Sequence, residues 1–365
     1  MGVKKVDAAQ KLIERINLFE GRARIMEICG THTHQIARFG IRSLLPEGIR
    51  LVSGPGCPVC VTEAGYIDAA IALLEDSKVT LVTFGDLIRV PGSRASLQEQ
   101  KAMGRDIVVV YSPEDVFHIA ADHPNKQVVF LAVGFETTAP LFAALVKQAE
   151  KMHVRNLYFL TALKRMEPVL NHMFGTLRLK LDGLICPGHV AVITGTTPFQ
   201  TISDAYNVPA AVCGFEAPDI LAGVYELIKQ ISGENAVQTV NLYKRCVRAN
   251  GNIAAKSLID DVFTSADANW RGIGMIADSA YAMNDCYKRF DAQEHFGIFI
   301  PDTAMQDKCL CGDILLGKKQ PDVCPAFGRT CTPEHPVGPC MVSSEGPCSA
   351  WYKETGGDRC LAELS

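Results

Sequence analysis

The chain has 365 residues, more than one compact core of ordinary size holds, so two or three domains are expected. Hydrophobic residues make up 48% and charged residues 21%, the balance of a soluble globular protein with a substantial core. A formal net charge of -4 without a basic block argues against nucleic acid as the main partner, and no apolar run approaches the roughly 18 residues a membrane helix needs.

The first stretch, "MGVKKVDAAQKLIERINLFEG", reads as an amphipathic helix with no signal-peptide core, so a cytoplasmic location is the expectation. Short apolar runs and helical patterns then alternate from residue 24 to 216. The predicted strands are 24–28, 49–53, 79–84, 107–111, 128–133, 156–161, 183–186 and 210–213. Helical stretches between them include 62–74, 96–103, 113–121 and 140–152. Unbroken Val/Ile/Leu/Phe strands separated by helices indicate parallel sheets covered on both faces, and eight strands exceed one small sheet. The expected fold class is therefore α/β, with two parallel-sheet units facing across a cleft. "VGFETTAP" and "CGFEAPD" each end a strand with Gly-Phe-Glu and begin a helix, a weak internal echo. From 218 to about 250 the pattern is helical; after 296 it is loop-rich, and proline, glycine and cysteine dominate 321–348. Such a segment cannot build an ordinary core and needs a staple.

The chemistry-bearing residues fall just after predicted strands: "EICGTHTHQ", "GPGCPVC", "TFGDLIRVPG", "GFETT", "CPGHV" and "CGFE". Ligands of open α/β sheets bind beyond the carboxyl ends of the strands, so these loops are expected to share one cleft. Glycine and threonine there are ordinary turn and cap residues, but cysteines and histidines are not. Cys29, just ahead of a helix beginning near His32, is expected to feel the positive end of the helix dipole and to favour thiolate. A thiolate with an imidazole nearby suits a soft metal or a nucleophile, whereas a lone strand-end cysteine is commonly inert packing.

Cys57 and Cys60 have the C-x-x-C spacing of a redox dithiol; a direct metal site and two structural cysteines are the other readings. Asp86 and Arg89 lie on one turn and suit either the cleft or a structural ion pair. Glu136 and Glu216 at helix starts suit dipole-favoured caps, and His189 after Pro187-Gly188 suits a positioned acid, base or donor.

Fourteen cysteines are unusual, and in a reducing compartment clustered cysteines point to metal or redox chemistry. Seven crowd into 309–360 and mark a separate tail module. Within it Cys324, Cys331, Cys340 and Cys348 have six, eight and seven residues between them, three with proline alongside. Four thiolates on wide, rigid loops suit a cubane iron–sulfur cluster, with structural zinc as the competing reading. Cys309, Cys311 and Cys360 are spare candidates.

Taken together, "CGTHTH", "GPGCPVC", "TFGDLIRVPG", "GFETT", "PGHV", "CGFE" and "CPAFG…CTPEHPVGPCMVSSEGPC" resemble the HypD family, the NiFe-hydrogenase maturation iron–sulfur proteins, in order from about residue 24 to 352. The resemblance implies a redox-active scaffold, rather than a clear turnover enzyme, that holds an iron while two cyanides and one CO are attached. It implies a small HypC-type chaperone and a HypE-type cyanide donor as partners. Carried over, Cys29 would ligate that iron with His32 assisting, Cys57 and Cys60 would pass electrons, and Cys324, Cys331, Cys340 and Cys348 would hold a 4Fe-4S cluster. Asp86, Glu136 and His189 would line the cleft. The expected division is unit I at 23–121 with the CGTHTH and CPVC loops, and unit II at 122–230 with GFETT and PGHV. Residues 1–22 and 231–365 would form a helical region with the cluster module. The competing class is a thiol–disulfide oxidoreductase with a structural metal-bound tail.

Overall fold

In a computed structural model, which describes residues 2–303 and 309–356, every one of the eight expected strands is present. They are β1 (Ala23–Glu27), β2 (Ile49–Ser53), β3 (Val79–Phe84), β4 (Ile107–Val110), β5 (Gln127–Gly134), β6 (Leu157–Lys164), β7 (Gly183–Cys186) and β8 (Ala210–Val212). Three more follow: β9 (Thr239–Asn241), β10 (Phe263–Trp270) and β11 (Gly274–Met283). The first sheet has the order β2-β1-β7-β8-β9 and is parallel throughout. The second has the order β10-β11-β6-β5-β3-β4; its β6-β5-β3-β4 part is parallel, and β11 and β10 add antiparallel to β6.

The parallel strands form because both faces are covered. β3 and β5 are buried along nearly their whole length, and the Phe130 ring packs on Phe142 and Phe159 inside the second unit. β10 and β11 escaped the sequence reading because Thr, Ser, Asp and Asn interrupt them and one face of each is wet. β9 is only three residues long, so the helical expectation to 250 holds only for the helix Ala217–Ile231.

The sheets do not follow the division at 121/122. The first sheet takes 23–53 and then 183–241, and the second is built from 79–164 with 263–283. Strand character marks where a strand is, not which neighbour it pairs with, so nothing in the local pattern signals that the chain leaves one sheet and returns. Aligning the orders β2-β1-β7-β8 and β4-β3-β5-β6 pairs the loop after β5 with the loop after β7, not with that after β8. The two Gly-Phe-Glu motifs therefore stand at non-equivalent places, which weakens duplication as their origin.

Each sheet has a point where the strand order reverses, between β1 and β7 in the first and between β3 and β5 in the second. Loops diverge there and leave a crevice at the strand ends. The tail closes onto these crevices. The helix Pro339–Val342 packs on the short helix Pro58–Val61, and the helix Pro347–Glu354 packs on the helix Gly30–Arg38. Cys311, Leu315, Phe327, Cys340, Met341 and Cys348 share one core with Met26, Cys57, Cys60 and Val61. The tail thus borrows the core of the first unit instead of standing as a separate module. Among the described residues no helix is long and apolar enough to cross a membrane.

Candidate functional site

Cys29 follows β1 and takes the N-cap position of the helix Gly30–Arg38, with extended backbone (φ -145°, ψ 121°). Its position is over-determined. Its N–H donates to Glu27 Oε2 at 3.3 Å, and the Thr33 hydroxyl donates to Glu27 Oε1 at 2.6 Å. Gly56 lies so close that a Cβ there would stand 2.3 Å from the Cys29 nitrogen, so only glycine lets the two loops meet. The expected thiolate is not what this environment favours. Burial, with Glu345 and Glu27 adding to it, pushes the Cys29 thiol up to about 12 against the opposing N–H groups of His32 and Thr31. The helix start contributes as expected but loses to desolvation and two carboxyls, so a bound cation is what would hold this sulfur as thiolate.

Glu27 was missed by the sequence reading. It is fully buried, and burial raises its carboxyl to about 7 despite hydrogen bonds from Ser53 and Thr33. A carboxylate inside an otherwise apolar strand, two residues before a candidate ligand, was the available signal.

The cleft beyond the strand ends has a volume of about 410 Å³. Cys29, Thr31, Gly56, Pro58 and His189 line it from the first unit, Phe135, Thr137 and Thr138 from the second, and Glu345 from the tail. Glu345 is a second residue the sequence did not reveal: it accepts from the Thr31 hydroxyl at 2.6 Å, and Gly30 leaves room for it. His189 is exposed to the cleft, its ring stacked on Phe215 with centroids 4.0 Å apart, and partial desolvation lowers its pKa.

His32 stands behind the cleft, not in its wall. It is fully buried, its ring centroid 4.7 Å from that of Phe215, and Nε2 is 3.0 Å from the Gly214 carbonyl oxygen. That carbonyl only accepts, so Nε2 is assigned the proton and Nδ1, buried and without a partner, keeps a lone pair. Burial brings its pKa down to about 4, so the ring is neutral.

Two expected cleft residues are elsewhere. Glu136 lines a neighbouring cavity of about 210 Å³ with Arg165, Lys256 and Tyr281, which shares Met166, Val190 and Ile193 with the cleft. Its Oε1 accepts from the Met166 N–H at 2.7 Å, Oε2 has no partner, and burial raises the carboxyl to about 7. Asp86 and Arg89 grip the tail: Asp86 accepts from the Ser343 hydroxyl at 3.1 Å, and Arg89 donates to the carbonyls of Pro333 and Val342 at 3.2 and 3.1 Å. Glu216 occupies the N-cap position of the helix Ala217–Ile231, in keeping with the plainer reading.

The other cysteines form a connected run. Cys57 Sγ accepts from the Cys60 N–H at 3.3 Å, both thiols are free, and Cys60 Sγ points at the Pro339 carbonyl at 3.9 Å. Cys60 is raised by burial and by thiol contacts to Cys340 and Cys57. Cys340 in turn contacts Cys311 and Cys348, and Cys311 contacts Cys309. Cys331 interacts with Cys309 and Cys324, and Cys348 with Cys309 and Cys331. Cys331 Sγ also accepts from the Val337 N–H at 3.3 Å. Among the described residues no three His, Cys, Asp or Glu side chains converge as on a single ion; Cys360 lies outside them. The donor set is nevertheless all thiol, buried and free of interleaved carboxylates, which fits the soft chemistry of an iron–sulfur cluster, whose bulk spreads its ligands apart.

A family model described as HypD, Hydrogenase formation hypA family, matches residues 5–355. The chain is similar to the hydrogenase maturation factor HypD of Escherichia coli, 41% identical over 332 residues, covering 90% of this chain and 88% of that one. It is likewise similar to the hydrogenase maturation factor HypD2 of Bradyrhizobium diazoefficiens, 40% identical over 337 residues with 90% and 88% covered. HypD of Cupriavidus necator is 39% identical over 341 residues, with 91% and 89% covered.

Proposed function

The chain belongs to the HypD family of hydrogenase maturation factors, and from that premise we propose that it is the scaffold on which the Fe(CN)2CO unit of the NiFe-hydrogenase site is assembled. The observation that carries this reading is the unbroken run of thiols from Cys57/Cys60 to the tail, with Cys29 alone in the cleft next to its start.

The iron is the substrate. Cys29 supplies the soft thiolate that low-spin iron needs, its proton leaving as the cation binds, and a HypC-type chaperone supplies a second thiolate. A cyanide or CO bound through carbon leaves its outer atom facing the cleft wall. There the hydroxyls of Thr137 and Thr138 and the ring of His189 are available donors. His32, behind the wall, orients the Phe215–His189 stack, and Glu27 fixes the Cys29 loop. A HypE-type protein delivers cyanide to the open side.

Closing a Cys57–Cys60 disulfide releases two electrons and two protons, so this pair is the local electron store. Cys324, Cys331 and Cys348 would hold a 4Fe-4S cluster; its chemistry, when bound, is one-electron transfer at low potential. The fourth ligand was expected to be Cys340. Cys340 contacts Cys348 directly, as well as Cys60 and Cys311, and so suits both the fourth ligand and the link to the dithiol; Cys309, near Cys331 and Cys348, is the competing thiol.

Anaerobic purification with the small chaperone tests the reading. About five iron per chain, four in the tail cluster and one in the cleft, and infrared bands of bound cyanide and CO are expected; zinc in place of iron, or bands that survive Cys29→Ala, would refute it.

A further inference from the structure

A buried arginine sits where the loop after the dithiol meets the start of the tail. Arg271 lies in the turn joining β10 and β11 and is 6% exposed. Its backbone N–H donates to the carbonyl of Val61, the residue after Cys60, at 2.9 Å. Its Nη1 donates to the Pro91 carbonyl at 3.1 Å, while Nε is buried without a partner. The same turn presses on the tail: a Cβ on Gly312 would stand 2.5 Å from the Gly272 carbonyl oxygen, so the turn abuts the start of the helix Cys311–Leu315. Among the described residues Arg271 forms no ion pair.

A guanidinium desolvated to this degree calls for a negative counter-charge, and neutral thiols do not provide one. A cluster held by four thiolates does, and gains one more negative charge when it is reduced. The charge of Arg271 opposes, without outweighing, the thiol contacts and burial that raise Cys309 and Cys311.

We propose that Arg271 is a positioning residue that sets the reduction potential of the thiol-bound centre, favouring its reduced form and holding the β10–β11 turn against both redox elements. This rests on the cluster reading above.

The test uses the full chain, purified anaerobically with its iron, as wild type, Arg271→Gln and Arg271→Lys. Iron per chain and the midpoint potential, followed by electron paramagnetic resonance during a redox titration, are both recorded. Loss of the positive charge in Arg271→Gln is expected to lower the reduced-to-oxidised ratio at fixed potential roughly tenfold, about 59 mV for a one-electron couple. Arg271→Lys is expected to stay near wild type. An Arg271→Gln protein with full iron and an unchanged potential overturns the inference. If Arg271→Gln fails to hold iron, Arg271→Lys decides: wild-type loading and potential support the charge role, and loss of iron there too makes Arg271 a packing residue. Wild-type protein without iron overturns the cluster reading itself, and this inference with it.

Discussion

Two groups of cysteines, Cys29 at the end of β1 and the thiols of the tail, have different surroundings. Cys29 faces the cleft with Glu27 and Glu345 as its charged neighbours, which resist ionisation. The tail thiols have one another, the Val337 N–H at 3.3 Å from Cys331, and Arg271 beside Cys309 and Cys311. Burial raises the thiols in both places, but around Cys29 carboxyls add to it, whereas in the tail neighbouring thiols add to it and Arg271 partly opposes it. Anchoring and electron storage are separated by environment rather than by residue type.

The sharpest way to break this contrast is a pair of substitutions. Cys29→Ala should abolish the cyanide and CO bands while leaving about four iron per chain, whereas Cys331→Ala should lose the tail iron. Infrared spectra and iron analysis of both proteins read the outcome, and loss of both signals in either variant would mean that the two groups are not independent.

Gly56→Ala comes next. Its Cβ would meet Cys29 backbone atoms at 2.3 and 2.5 Å, neither of which can swing aside. A loss of about 3 kcal/mol is expected in urea unfolding, with weaker iron capture in the cleft.

Glu136 sharpens the contrast through pH. Its carboxyl is raised to about 7 from 4.5, so between those values the folded state binds more protons than the unfolded chain and stability falls as pH rises. The difference of about 2.5 corresponds to about 3 kcal/mol at full burial. Glu136→Gln should therefore gain on wild type by a few kcal/mol between pH 5 and pH 8, read from urea midpoints at both. His32 acts in the opposite sense. Its pKa is depressed from 6.5 to about 4, so its contribution is lost as pH falls through that window.

The smallest effect is expected at Arg89, an exposed side chain with two hydrogen bonds to tail carbonyls. Arg89→Ala should cost about 1 kcal/mol and quicken the loss of tail iron to a chelator without moving the cyanide and CO bands.

The sequence by itself determined the α/β class, eight of the nine parallel strands, all but the three-residue β9, and the loops that carry Cys29, Cys57, Cys60 and His189. Unbroken apolar runs and C-x-x-C spacing are local signals, and local signals are legible in one dimension. The tertiary structure decided the rest. It alone paired β1 with β7, interleaved the two sheets and set His32 behind the cleft and Glu136 in the next cavity. It turned Asp86 and Arg89 into a clasp for the tail and brought Glu27, Glu345 and Arg271 to the thiols. The thiol pKa changed sign for the same reason: a helix start acts through the nearest residues, but desolvation depends on everything packed around the sulfur, and that is fixed only when distant segments meet.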